Sequence, residues 1–119
     1  MNQDSLAQLN QRLKQFAVSR NWEQFHSPKN LSMAMIAECA ELVEHFQWLT
    51  QEQSLNLPPE KKQEVAFELA DILLYLIRCS ERLEIDLIDV ANRKIDINEQ
   101  RYPADKVYGD ARRASEYEE

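Results

Sequence analysis

The stretch Val65 to Ile77, Val-Ala-Phe-Glu-Leu-Ala-Asp-Ile-Leu-Leu-Tyr-Leu-Ile, is the most apolar part of the chain, yet it carries two carboxylates, Glu68 and Asp71. Three residues apart, they project from one face of a helix with β-carbons about 5–6 Å apart. Apolar residues occupy nearly every other side, a pattern that predicts a helix buried by partners all round rather than one with a wet face. An unpaired carboxylate in such surroundings costs several kcal/mol, so a buried pair calls for protons, cationic partners or a metal ion. The stretch Leu31 to Leu49 poses the same question, with Glu38 and Glu41 again three apart inside an apolar helical pattern. Two such pairs suggest one site.

A single glycine and four prolines in 119 residues are too few for a fold with many tight turns. With abundant Leu, Ala, Glu, Gln and Arg, they point to an all-α chain, one domain by length. The net charge of -7 argues against a surface for nucleic-acid polymers, which are bound by basic stripes. Cys39 and Cys79 fall inside apolar patterns without metal-ligand spacing, so they read as small hydrophobes in a reducing compartment. No signal-peptide pattern opens the sequence and no run approaches a membrane span, so the expectation is a soluble, cytoplasmic protein.

Local signals divide the chain into four main helices. Ser5 with Gln8 fits a capping box for a first helix running to near Ser19, with Leu6, Leu9, Leu13, Phe16 and Ala17 on its buried face. A connector, Asn21 to Asn30, contains Trp22, Phe25 and His26; these aromatics suit either a stacking wall or a plug at the end of the core. Ser27-Pro28 starts a second helix expected to reach Thr50, along which Ala34, Glu38, Glu41, His45 and Trp48 follow helical spacing; His45 is given no role. Gln51 to Leu57 reads as a polar loop. Pro58-Pro59 starts a third helix, running to Leu83 with the stripe Glu64, Glu68, Asp71, Tyr75 and Arg78. Asp86 with Asp89 caps a fourth helix that must stop near Arg101, because Tyr102 precedes Pro103. Lys94, Asn98 and Arg101 share one face of it, a set suited to phosphate oxygens or, equally, to a solvated surface. Residues 1–103 thus form the helical domain, and residues 104–119 a polar C-terminal tail.

Facing helices pack with axes about 8–10 Å apart, so acid pairs on two of them can converge on one ion. Carboxylate-only ligation favours Mg²⁺, with Mn²⁺ as the alternative, and both accept substrate phosphates. The competing di-iron bundles use Glu-x-x-His pairs, and Glu38, Glu41 and Glu68 lack a His three residues on. If no ion binds, the four acids must be salt-bridged on exposed seams.

These residues resemble the MazG-like all-alpha nucleoside triphosphate pyrophosphohydrolases. Their signature, Glu-x-x-Glu on one helix and Glu-x-x-Asp on the next, is matched by Glu38-Cys39-Ala40-Glu41 and Glu68-Leu69-Ala70-Asp71. Within that family the segments Asn21 to Asn30, Glu44 to Trp48, Asp71 to Tyr75 and Lys94 to Pro103 are similar to the dCTP pyrophosphatase subgroup. Leu13 stands where some members carry a pocket His, and Ala37 and Ala40 where Gly often flanks the acids.

The resemblance implies a four-helix bundle completed by dimerisation and doubled to a homotetramer. It also implies Mg²⁺-dependent hydrolysis of a deoxynucleoside triphosphate, dCTP or a modified dCTP, to monophosphate and pyrophosphate, in sanitation of the nucleotide pool. Glu38, Glu41, Glu68 and Asp71 would bind the metal and form the catalytic set. Lys94 and Asn98 would hold phosphates together with Arg101, and Trp22, His26, Trp48 and Tyr75 would line the base and sugar pocket. Glu41 or Glu44 could orient the attacking water. The alternatives are the same chemistry on another nucleotide such as dUTP, or a non-catalytic helical dimerisation or adaptor module.

Overall fold

The computed structural model describes residues 5–112 and residue 116, and among them every regular element is helical. Residues up to Ile85 form one compact unit and those from Asp86 onward a second. The first holds α1 (Leu6–Ser19), a 3₁₀ turn (Glu23–Phe25), α2 (Pro28–Glu44), α3 (Gln51–Leu55) and α4 (Pro59–Arg82); the second holds α5 (Leu87–Arg101) and α6 (Ala104–Val107). No helix among the described residues is long and apolar enough to cross a membrane.

Helices α1, α2, α3 and α5 begin where a side chain caps the first amides. Ser5 accepts from the Gln8 amide at 3.0 Å, Ser27 from that of Asn30 at 3.1 Å, and Asp86 from that of Asp89 at 3.1 Å. Pro59 opens α4, where its missing N–H costs no hydrogen bond. The helix ends explain how the chain manages with one glycine. Asn21 (φ 54°) and Glu84 (φ 56°) take the left-handed conformation that usually falls to glycine. Around them the amides of Trp22 and Ile85 reach back to the carbonyls of Ala17 and Ser80, each at 2.9 Å, closing α1 and α4 in Schellman motifs.

Two expectations from the sequence need correction. The second helix stops at Glu44 rather than Thr50, and α3 replaces the expected polar loop. Thr50 forms a full capping box with Gln53, which requires an extended backbone at Thr50 (ψ 165°) and therefore a break before it. Tight turns through His45, Phe46 and Leu49 fill the gap. Of the expected polar tail, the described residues include α6, while residues 113–115 and 117–119 lie outside them.

In the first unit α4 packs along α2 and, less extensively, on α1. Among the buried and half-buried positions, Leu31, Met35, Glu38 and Leu42 of α2 and Val65, Glu68, Ile72, Tyr75 and Cys79 of α4 repeat at alternating spacings of four and three. Such spacing marks one seam on each helix. The core of this unit is small: among the described residues, only Ala17, Leu31, Val65 and Ile77 are fully buried hydrophobics. Met33, Ile36 and Val43 of α2 and Phe67, Leu69, Leu73 and Leu76 of α4 are exposed. A helix buried all round, as the sequence predicts for α4, is therefore not achieved by this chain alone.

The non-glycine left-handed caps yield a stability test. Glu84→Gly should raise stability by about 0.5–1 kcal/mol, the left-handed penalty of an L-residue less the entropic cost of glycine. Thermal denaturation reads this out, and an unchanged or lower midpoint would mean that Glu84 bears no strain.

Candidate active site

Glu38 and Glu68 occupy seam positions where a coiled pair of helices would normally place apolar side chains. Glu41 and Asp71, three residues on, lie on the exposed flank of the same helices. One carboxylate oxygen from each of Glu38, Glu41 and Glu68 lies within 4.8 Å of the others. Asp71 stands outside that trio, but its charge still bears on Glu38. The acid pairs legible in the sequence are therefore brought together by the packing of α2 on α4.

Electrostatics at this point are unfavourable to four free carboxylates. Glu38 is pushed up to about 7, first by a hydrogen bond shared with Glu68, next by burial, and then by Glu41 and the charge of Asp71. Oε2 of Glu38 and Oε2 of Glu68 are buried with no hydrogen-bond partner. Oxygens left in that condition are satisfied by a shared proton or by a cation. The donor set fits a hard divalent ion, being made of carboxylate oxygens only, on three residues of which two carry an orphaned buried oxygen.

Beside the acids a cleft of about 230 Å³ opens between α4, α1 and the connector. Asp71 and Tyr75 of α4, Trp22 and His26 of the connector, and Leu13 and Phe16 of α1 line it, with Arg78 at one end of the α4 contribution. Trp22 is held by an edge-to-face contact with Phe16, 5.7 Å between centroids at 73°, and the Arg20 guanidinium lies over the Phe16 ring, 3.7 Å from its centroid. The connector is pinned to α2 because Asn30 Nδ2 donates to the Phe25 carbonyl at 3.0 Å.

Arg78 has a larger part than its place on the α4 stripe suggests. It is 1% exposed, with every branch of its guanidinium engaged. Nε donates to His26 Nδ1 at 3.1 Å, Nη2 to Glu23 at 2.9 Å, and Nη1 to Glu81, which also meets Lys14 at 3.6 Å. Arg78 holds the Glu23 carboxyl below its usual range. Burial, followed by the charges of Arg78 and Arg82, lowers His26 below its ordinary 6.5. The only sequence signal for this role is that Arg78 continues the Asp71–Tyr75 stripe by one turn.

The remaining predicted site residues are on other elements. Trp48 sits in the turn between α2 and α3, 87% exposed, and does not line the cleft with Trp22, His26 and Tyr75. Lys94, Asn98 and Arg101 share one face of α5 in the second unit, where the Asn98 carbonyl accepts from the Tyr102 amide at 2.8 Å. Arg101 lies 5.8 Å from the centre of the Tyr102 ring. His45 Nδ1 lies 3.9 Å from a carboxylate oxygen of Glu64.

Residues 33–116 match the model of the MazG-like family. Over 99 residues the chain is 40% identical to dCTP pyrophosphatase 1 of Mus musculus, covering 82% of this chain and 58% of that protein. Over 104 residues it is 38% identical to dCTP pyrophosphatase 1 of Homo sapiens, covering 86% and 61%. The chain thus spans about three fifths of the length of these curated relatives. Its fold is also similar to that of a pyrophosphatase from Archaeoglobus fulgidus, with a TM-score of 0.78, 37% identity, and coverage of 82% of this chain and 92% of that one. Family match, shared identity and shared fold agree, and the chain belongs to the MazG-like family.

Proposed function

We propose that the chain is a Mg²⁺-dependent nucleoside triphosphate pyrophosphohydrolase that cleaves the α–β phosphoanhydride of a deoxynucleoside triphosphate, dCTP or a modified dCTP first, to the monophosphate and pyrophosphate. The observation that carries this reading is the convergence of Glu38, Glu41 and Glu68, with orphaned oxygens on two of them, next to an aromatic cleft that Asp71 also lines. The relatives named dCTP pyrophosphatase 1 and the fold shared with an archaeal pyrophosphatase support it.

Glu38, Glu41, Glu68 and Asp71 would hold Mg²⁺, or Mn²⁺ in its place. Bound there, the ion supplies neutralisation of phosphate charge and a lowered pKa for coordinated water. The residues of the chain do the rest. Glu38 and Glu68, fixed in the helix seam, orient the oxygen cluster, while Glu41 and Asp71 on the flank face approaching phosphates. Trp22 and Tyr75 stack the base and exclude water from it. Lys94, Asn98 and Arg101 supply donors for phosphate oxygens, and Trp48 closes on the base in the assembled protein. The exposed apolar residues of α2 and α4 support assembly as a homodimer, doubled to a tetramer, because a face of that size is normally covered. Pool sanitation in the cytoplasm is the role that fits such a reaction.

Pyrophosphate release from a panel of canonical and modified nucleoside triphosphates, with Mg²⁺ and with EDTA, tests the reading. Turnover that needs Mg²⁺ and yields a monophosphate is the expected result; its absence across the panel would favour a binding or dimerisation module. Glu41→Gln and Asp71→Asn should each lower turnover at least about 100-fold while helix content by circular dichroism stays near that of the wild type. Wild-type-like rates in both would remove the proposed metal site.

The raised Glu38 pKa also sets a pH dependence. Because the folded state binds this proton more tightly than the unfolded one, the stability it contributes is full below the ordinary carboxylate value of 4.5 and is lost as pH rises through about 7. In EDTA the melting temperature should therefore fall more steeply between those values in the wild type than in Glu38→Gln, and stabilisation by Mg²⁺ should grow over the same range. Identical pH profiles for the two proteins would show that Glu38 is not electrostatically strained.

A further inference from the structure

We infer that Arg78 is a positioning residue: by donating from Nε to His26 Nδ1 it fixes the His26 imidazole in the tautomer protonated on Nε2, so that the ring offers the cleft one N–H donor for an acceptor on the edge of a nucleobase.

Arginine has no acceptor and stays protonated, so a ring nitrogen that takes its hydrogen bond must be the unprotonated one. The neutral ring then carries its proton on the other nitrogen. Among the described residues no partner accepts from Nε2, which leaves that donor for a ligand. Nor can Arg78 turn away, since its two terminal nitrogens are committed to Glu23 and Glu81, and it is itself buried where α4 meets α1 and the connector. The imidazole is thereby kept from presenting an acceptor, and the connector is tied to α4 through the same bonds.

The charge environment works in the same direction. Arg78 and Arg82 face the ring from α4, Glu23 from the connector, and Lys14 of α1 joins the set through Glu81. Asp71 and Tyr75 lie in the same cleft. Burial and the two arginines outweigh Glu23, and the ring resists protonation. Placement suits a base rather than a phosphate. Arg78 lies seven residues beyond Asp71 on α4, about 10 Å along the axis, so the residue that holds His26 is rooted roughly two turns from Asp71. With Trp22 and Tyr75 available to stack the ring of a base, an N–H at its edge selects a carbonyl or ring nitrogen there over an amino group.

The identity of the ligand rests on the proposed nucleotide reading; the tautomer does not. Long-range ¹H–¹⁵N NMR of the full chain reads the tautomer without any turnover, and the sequence holds only two histidines, which a His45→Gln variant tells apart. At about pH 8, where the ring is neutral, His26 should give the Nε2–H pattern. An Nδ1–H pattern there would overturn the inference even if the enzyme turns over nucleotides. In Arg78→Met the pattern should relax to a mixture of tautomers.

Kinetics test the donor. His26→Gln places an amide N–H where Nε2 lies and should keep KM within about threefold of wild type. His26→Phe and His26→Asn should raise KM about tenfold with kcat little changed. Equal KM in all three variants would sink the proposed donor. Should Arg78→Met fail to fold, the wild-type spectrum and the His26 series still decide the matter. If no nucleotide is turned over, the function proposed above fails, and the spectrum alone confirms or overturns the Arg78–His26 geometry.

Discussion

Two carboxylates in the seam between α2 and α4 set the terms for the rest of the first unit. Seam positions of packed helices normally hold apolar side chains, whose burial stabilises the pair. Glu38 and Glu68 give that up and add repulsion, which shows as an elevated pKa on Glu38 and as orphaned oxygens on both. A packing defect of this kind persists where the surroundings hold it for a purpose. With Glu41 one turn away, the defect has the composition of a hard-cation site.

Little else in the unit is buried: among the described residues four hydrophobics are buried, while α2 and α4 leave Met33, Ile36, Val43 and Phe67 exposed. Arg78 partly makes up the deficit. A buried guanidinium matched to Glu23, Glu81 and His26 ties three segments of chain together through charge-assisted bonds rather than through apolar contact. It is also a rigid arrangement, since a planar fork with all branches used has one orientation. Stability of the connector and definition of the cleft wall thus come from the same side chain.

Much of the local structure was legible because its causes are local. The Ser5, Ser27 and Asp86 caps act over three residues, and Pro59 acts on its own φ, so the starts of α1, α2, α4 and α5 follow from short stretches of sequence. The end of α2 was legible too, although periodicity hid it. Thr50 and Gln53 carry the capping-box pattern, and the apolar spacing through His45 and Trp48 imitates a helix that the box interrupts. Once the chain breaks at Glu44, Trp48 leaves the acid-bearing face.

The sequence by itself determined the helical class, most helix boundaries and the two acid pairs, because spacing along a helix is fixed by its 3.6-residue repeat. Tertiary structure alone decided which acids meet: Glu38, Glu41 and Glu68 converge, whereas Asp71 turns to the cleft. It alone revealed the Arg78 network, whose partners His26 and Glu23 lie 52 and 55 residues away along the chain. No periodicity links positions so far apart; they meet because α4 packs on α1 and α2 and brings the connector to its side.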